Sequence, residues 1–265
     1  MVIPGKSRDM TVTDAVVSTR RIEWQLAEVR DLVIETPRVK SLLLRPADWP
    51  GHMAGQHVDV RLTAGDGYQA QRSYSIASAP EDELLALTVE RVKDGEVSPY
   101  LLDELRAGDQ LELRGPIGGY FVWTSASGAP LCLIAGGAGV TPLMAMLRHR
   151  DRSSSRAPAV LMYSTRNLED VIYRDEIDAM ARRDNSLRVV HALTREQPKD
   201  WRGHRGRVDK SMLAANCFPP SQNPAIYVCG PTAFVETVSG LLVELEFDPL
   251  NIKTERFGPS GELAP

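Results

Sequence analysis

The chain has 265 residues, 43% of them hydrophobic and 25% charged, with a formal net charge of −4. That length holds one large or two small domains with a substantial core, and a mildly acidic balance offers no basic field to nucleic acid. Three cysteines, Cys132, Cys217 and Cys229, are odd in number and widely spaced, which excludes a disulfide framework and any cysteine–histidine metal spacing. The opening MVIPGKSRDM has no apolar signal core, so a reducing cytoplasm is the expected location.

Residues 1–20 read as a loose tail. From residue 21 to 125 the chain breaks into short runs rich in valine, leucine and threonine, among them Val39–Leu44, His57–Leu62 and Leu84–Val92. Each alternates apolar with polar residues, and turn signals separate them at Pro50-Gly51, Gly65-Asp66-Gly67, Ala79-Pro80, Gly95 and Gly108-Asp109. Many short strands at this spacing predict an antiparallel β-barrel. Ser98–Leu105 is its one helical interruption, with Ser98 as cap and Pro99 just inside. Arg72-Ser73-Tyr74-Ser75 falls on a strand, and alternation puts Arg72 and Tyr74 on one face and Ser73 and Ser75 on the other. An arginine fits a phosphate, a tyrosine ring packs on a flat ring system and a hydroxyl bonds a ring nitrogen. A polar strand on the barrel surface accounts for the same residues more simply. His52 and His57 lie in a turn-and-strand context without further ligands nearby and read as structural.

Ser125–Pro130 reads as a linker, and residues 126–265 as a second, α/β domain. Strands are predicted at Leu131–Ala135, Ala159–Tyr163, Leu187–Leu193 and Ala225–Cys229, with helices at Pro142–Arg150, Glu169–Arg183, Asp209–Ala215 and Thr232–Glu246. The alternation predicts a doubly wound parallel sheet. Its first strand ends in Gly136, Gly137 and Gly139, after which Thr141 caps a helix and Pro142 takes the first helical position. A helix starting behind a glycine turn directs bare N–H groups and a positive dipole end at one spot, where a dinucleotide pyrophosphate fits. The run Gly115–Leu147 carries no charge and is long enough to span a bilayer, but Pro130, Pro142 and the central glycines interrupt it. A buried strand feeding a buried helix face explains it, so no membrane span is expected.

Four motifs occur in order: Arg72-x-Tyr74-Ser75, then Gly136-Gly137-Ala138-Gly139-x-Thr141-Pro142, then Cys229-Gly230-Pro231, then Glu255-x-Phe257. Together they resemble the ferredoxin–NADP reductase superfamily of flavoproteins. The resemblance implies a flavin-binding barrel followed by a nucleotide-binding α/β domain. It implies that Arg72 holds a flavin phosphate, Tyr74 packs on the isoalloxazine with Ser73 beside it on the same strand, and Ser75 sits near N5. The family's G-x-x-S element reads Gly95-Glu96-Val97-Ser98 here and implies a pyrophosphate site, hence FAD. It further implies that Cys229 lies beside the nicotinamide, with Gly230 and Pro231 in the same turn, that Glu255 lies near Ser75 and Cys229, and that Phe257 lies over or beside the flavin. Some relatives end in a tyrosine at that point; here eight residues follow Phe257.

The glycine turn lacks the third glycine of the standard dinucleotide fingerprint, and no acid follows about 20 residues on. That neighbourhood offers Thr165 and Arg166, the next strand ends in Thr194-Arg195, and Arg207 follows Gly206. Hydroxyls and arginines suit a 2′-phosphate, which favours NADPH over NADH as electron donor. The expected activity is hydride transfer from NAD(P)H to FAD, with Ser75, Cys229 and Glu255 as the catalytic group, then electron release to a separate acceptor. A ferredoxin, a flavodoxin, an oxidoreductase subunit and free flavin all remain open as acceptors. The alternative of another class is a flavin-binding subunit that senses redox state or scaffolds a complex without turnover.

Overall fold

The computed structural model describes residues 22–153 and 155–258. The tail expected over residues 1–20 lies outside them. The first half is a six-stranded antiparallel sheet of β1 (Trp24–Thr36), β2 (Val39–Pro46), β3 (His57–Thr63), β4 (Gln69–Ser75), β5 (Leu85–Glu90) and β6 (Gln110–Ile117), in the order β4-β3-β6-β1-β2-β5. The two edge strands meet, because Ile76 bridges Leu87 and the Ala77 N–H donates to the Ala86 carbonyl at 2.8 Å. That closure makes the sheet a barrel and removes its edges. Leu42, Leu44, Val58, Val60, Leu87 and Leu113 fill it, and helix α1 (Val97–Asp103) covers it with Val97, Leu101 and Leu102.

Helix α1 (Val97–Asp103) begins with its cap two residues before the predicted Ser98. Glu96 is its N-cap and makes no side-chain cap bond. The Ser98 hydroxyl is engaged elsewhere, accepting the Val92 N–H at 3.0 Å.

The second half is a parallel sheet in the order β10-β9-β8-β7-β11-β12. Its strands are β7 (Leu131–Gly136), β8 (Ala159–Thr165), β9 (Leu187–Leu193), β10 (His204–Arg205), β11 (Ala225–Pro231) and β12 (Ile252–Phe257). Every residue of β7 and β8 is buried, as expected of strands covered on both faces. Helices α2 (Val140–Arg152) and α3 (Arg174–Arg183) pack on one face. Helices α4 (Lys210–Asn216) and α5 (Thr232–Glu244) pack on the other. No helix of the described residues is long and apolar enough to cross a membrane.

One apolar cluster joins the halves. Val39, Ala54, Ala77, Phe121 and Trp123 of the first pack with Leu143, Met144, Tyr163 and Tyr227 of the second. Polar ties reinforce the seam: Arg148 donates to the Ala77 carbonyl at 2.8 Å while forking onto Glu176 at 2.9 and 2.6 Å. The Tyr227 hydroxyl donates to the Val122 carbonyl at 2.7 Å, and Tyr173 and Thr88 share a buried hydroxyl–hydroxyl bond.

Candidate active site

The parallel sheet is wound outwards from β7, in one direction through β8 to β10 and in the other through β11 to β12. Ligands bind outside the carboxyl ends of strands at such a switch point. Here the ends are Gly136 of β7 and Pro231 of β11, and a cavity of about 230 Å³ opens between them and the barrel. Gly136, Gly137, Ala138, Pro231, Phe234 and Phe257 wall it on the sheet side, and Thr36, Arg38 and Glu90 on the barrel side.

The glycines serve different purposes. A Cβ at Gly136 would lie 2.8 Å from the Phe234 ring, and one at Gly230 would meet the same ring at 2.8 Å. A Cβ at Gly139 would lie 2.1 Å from the Cys229 carbonyl oxygen. These three glycines admit parts of the chain itself. Gly137 has a φ of +54° and open space where a side chain would be, so its backbone is bare towards the cavity. Helix α2 starts at Val140, two residues before the predicted Pro142, because the Thr141 hydroxyl does not cap it. It donates back to the Ala138 carbonyl at 2.8 Å and ties down the glycine turn. Helix α5 also begins at the switch point, immediately after Pro231 and with no side-chain cap, so two helix starts flank the cavity.

Parallel pairing sets Cys229 directly beside Glu255, and Pro231 beside Phe257. Cys229 is 2% exposed. Burial, with the nearby Glu255 carboxylate, pushes its thiol well above the ordinary cysteine range, so it is a neutral packing group and not a nucleophile. Glu255 has its Oε2 buried with no hydrogen-bond partner, and burial pushes its pKa up to about 7. Glu255 stands two residues before the cavity-lining Phe257, and an unpartnered buried carboxyl oxygen is a polar atom in want of a ligand. Ser75 lies in the other half, ending β4 opposite His57, and makes no hydrogen bond to either residue among the described ones.

The barrel face holds a second constellation. Arg72 is exposed, donates to the Gln71 carbonyl at 2.6 Å and lies 4.0 Å from Glu96, the N-cap of α1. Residues 24 positions apart thus converge on one helix start, beside Gly95, Val97 and Ser98. The Ser98 hydroxyl accepts from Val92, which leaves its own hydrogen to donate. Tyr74 packs on the barrel core, and its hydroxyl is pushed up to about 12 by burial. Ser73 points the other way and donates to Asp59 at 2.6 Å, so it buttresses the strand from behind. Asp59 in turn pairs with Arg114 at 2.9 Å. His52, placed between the indole of Trp49 and the Ser78 carbonyl, is held by structural bonds.

The carboxyl ends of β8 and β9 bring two hydroxyl–arginine pairs together. The Thr194 N–H donates to the Thr165 carbonyl and the Arg195 N–H to the Arg166 carbonyl, both at 2.9 Å. The Thr165 hydroxyl turns locally onto the Asn167 carbonyl at 2.9 Å. Arg207 follows two residues after β10. None of Arg166, Arg195 and Arg207 pairs with a carboxylate among the described residues, and all three are exposed.

Sequence reasoning missed Phe234, Arg38, Glu90 and Asp170. Phe234 had a usable signal, since an aromatic one turn into the helix after Cys229-Gly230-Pro231 faces the strand ends. The others reach the cavity through the domain seam: Arg38, on the turn between β1 and β2, lies 3.5 Å from Glu90 and 3.9 Å from Asp170.

The residues present fit both a flavin dinucleotide and a nicotinamide dinucleotide. The Arg72–α1 cradle suits a pyrophosphate, Tyr74 a planar ring, the bare Gly137 turn a second pyrophosphate, and the unpartnered Glu255 oxygen a polar ring edge. A closed barrel with the first site and a doubly wound sheet with the second define a flavin- and nicotinamide-dependent oxidoreductase. The family models for an oxidoreductase FAD-binding domain and an oxidoreductase NAD-binding domain match residues 24–122 and 133–240. The chain is 34% identical over 252 residues to ferredoxin--NADP reductase B of Sorangium cellulosum, covering 91% of this chain and 100% of that one. It is also 34% identical over 212 residues to the glycine betaine monooxygenase reductase subunit of Pseudomonas aeruginosa, where it spans 78% of this chain and about half (56%) of the relative. Among solved structures, the flavohem-like FAD/NAD-binding domain of a nitric oxide dioxygenase from Vibrio cholerae matches with a TM-score of 0.79 at 25% identity, covering 89% of this chain and 99% of that one. The chain belongs to the ferredoxin–NADP reductase superfamily, whose cofactors are FAD and a nicotinamide dinucleotide.

Proposed function

We propose that this protein is an NADPH-dependent flavin reductase that delivers electrons singly to a separate redox protein, a ferredoxin or the electron-carrying component of an oxygenase. FAD, when bound, supplies the chemistry by accepting a hydride from the reduced nicotinamide and releasing its electrons one at a time. The chain supplies position and charge. Arg72 and the start of α1, with Gly95, Val97 and Ser98, hold the flavin pyrophosphate, and Tyr74 packs against the ring system. Ser75 and Glu255 address its polar edge from opposite halves, with Glu255 able to hold a proton on Oε2 near neutral pH. Phe257, at the end of β12, covers the ring from the nucleotide side. The Phe234 ring shapes the pocket in which the two rings meet, and the buried, neutral Cys229 thiol packs beside Glu255.

The preference for NADPH rests on one observation: three exposed arginines, Arg166, Arg195 and Arg207, lie at the carboxyl ends of neighbouring strands without an acid to neutralise them. A 2′-phosphate is the group such a cluster would take. Arg195→Ala is expected to raise the KM for NADPH about tenfold or more, the worth of one charge-assisted bond, and to leave that for NADH unchanged. Steady-state kinetics with both donors reads this, and equal losses with the two would contradict the assignment. The separate acceptor is supported by the relatives, one of which is a reductase subunit and another a ferredoxin--NADP reductase.

The flavin site has its own test. Arg72→Ala is expected to lose most of its flavin on gel filtration, because Arg72 holds no ion pair within 3.5 Å that would make its loss merely structural. Retention of near-full occupancy by the purified variant would show that the phosphate is held elsewhere.

A further inference from the structure

We infer that Cys132 and Cys217 form a reversible thiol–disulfide modification site, with a peroxide as its oxidant. The two residues are 85 positions apart, yet their sulfurs lie 3.2 Å from each other, with the Cys132 thiol donating to Cys217 Sγ. Both are free thiols. A disulfide is ~2.05 Å long, so joining them requires the sulfurs to approach by about 1 Å. Cys217 is the residue that can give. It is the C-cap of α4, with an extended backbone leading into a Phe218-Pro219-Pro220 loop, whereas Cys132 is held within β7.

The pair has an attacking and a resolving member. Cys217 is partly exposed and Cys132 fully buried, so peroxide reaches Cys217 first. The bond donated by Cys132 and the positive charge of Arg188 both hold the Cys217 thiol below its ordinary range, while that same bond and then burial push Cys132 up. Arg188 is fixed there by donating to the Asn216 carbonyl. The third thiol is out of reach. Cys229 packs on the face of the sheet towards the barrel, and Cys132 on the opposite face with α4 and α5.

The chemistry balances with hydrogen peroxide. Cys217 sulfur attacks one peroxide oxygen, the O–O bond breaks, and one water leaves as the sulfenic acid forms. Cys132 sulfur then attacks that sulfur, the S–O bond breaks, the second oxygen leaves as water, and the S–S bond forms. Two thiols give up two electrons and two protons, and one peroxide becomes two waters. Cross-linking would tie the end of α4 to β7, the strand that carries the glycine turn.

The experiment treats the full-length, flavin-loaded enzyme with stoichiometric hydrogen peroxide, blocks remaining thiols after denaturation, and counts them. The expected result is a fall from three thiols to one, a mass loss of two hydrogens, and one cross-linked peptide pair containing Cys132 and Cys217. All of it should reverse with dithiothreitol. The Cys217→Ser variant should keep both of its thiols. Should that variant fold poorly, Cys132→Ala should instead leave a dimedone-reactive sulfenic acid on Cys217. Retention of all three thiols, addition of oxygen to Cys217 without a cross-link, or a cross-link that includes Cys229 would each overturn the inference.

Discussion

Replacing Glu255 with glutamine is expected to leave stability unchanged below pH 4.5 and to raise it above pH 7. The carboxyl sits on β12 with Oε2 buried and unpartnered, and burial alone lifts its pKa from 4.5 to about 7. Because the folded-state value lies above the unfolded one, the folded chain holds this proton more tightly. Stability from this group is therefore fully present below pH 4.5, falls as pH rises through about 7, and is constant beyond. The span corresponds to roughly 3 kcal/mol of unfolding free energy. Glutamine keeps the shape without ionising, and every other titrating group cancels between the two proteins. Urea unfolding of both at a series of pH values reads the difference, and a difference that stays flat across the window would mean that Glu255 is not desolvated. Carrying such a cost on a buried, unpartnered carboxyl is what a group with a proton to hold does. The rate of flavin reduction in the parent should accordingly bend near pH 7, and in the variant it should not.

Gly139→Ala is expected to cost about 3 kcal/mol, at the upper end for one inserted methyl, because the new Cβ would lie 2.1 Å from the Cys229 carbonyl oxygen. That neighbour is backbone within a parallel strand and cannot rotate away. The glycine turn and the end of β11 must separate, which displaces Cys229 and the strand pairing that seats Glu255. Flavin reduction should slow together with the loss of stability. Gly137→Ala is the control: its site is open and only the φ of +54° opposes a side chain, so roughly 1 kcal/mol is expected. Denaturant unfolding distinguishes them, and equal costs at the two positions would refute the close approach of the turn to β11.

The strands were legible where one physical demand ruled the segment. Strands β7, β8 and β11 are apolar throughout because they are covered on both faces, and a glycine or a polar residue marks their ends. The barrel strands β2, β3 and β5 were legible by alternation. Strand β1 was not, because register shifts between Val29 and Asp31 and between Ile34 and Thr36 break its alternation and leave Ile34 73% exposed. The helix predicted from Glu169 begins only at Arg174. Tyr173 stands before it in a left-handed conformation, φ 58°, with its hydroxyl bonded to Thr88 of the barrel. A bond between residues 85 positions apart leaves no trace in local pattern.

The site divides along the same line. The glycine turn, the Arg72-x-Tyr74-Ser75 strand and the Cys229-Gly230-Pro231 turn are contiguous motifs and could be read. The adjacency of Cys229 and Glu255 depends on parallel register, that of Arg72 and Glu96 on barrel closure, and that of Cys132 and Cys217 on packing α4 beneath β7. Spacing along the chain encodes none of these.

Under the proposed function, two adjoining pockets, one in each half, bring a reduced nicotinamide to a flavin. Anaerobic stopped-flow mixing of the purified, flavin-loaded protein with NADPH, followed by its visible absorbance, tests it most directly. Rapid single-turnover bleaching of the yellow colour is expected, faster with NADPH than with NADH at equal concentration. A protein that takes up no flavin, or one whose bound flavin keeps its colour with either donor, would contradict it.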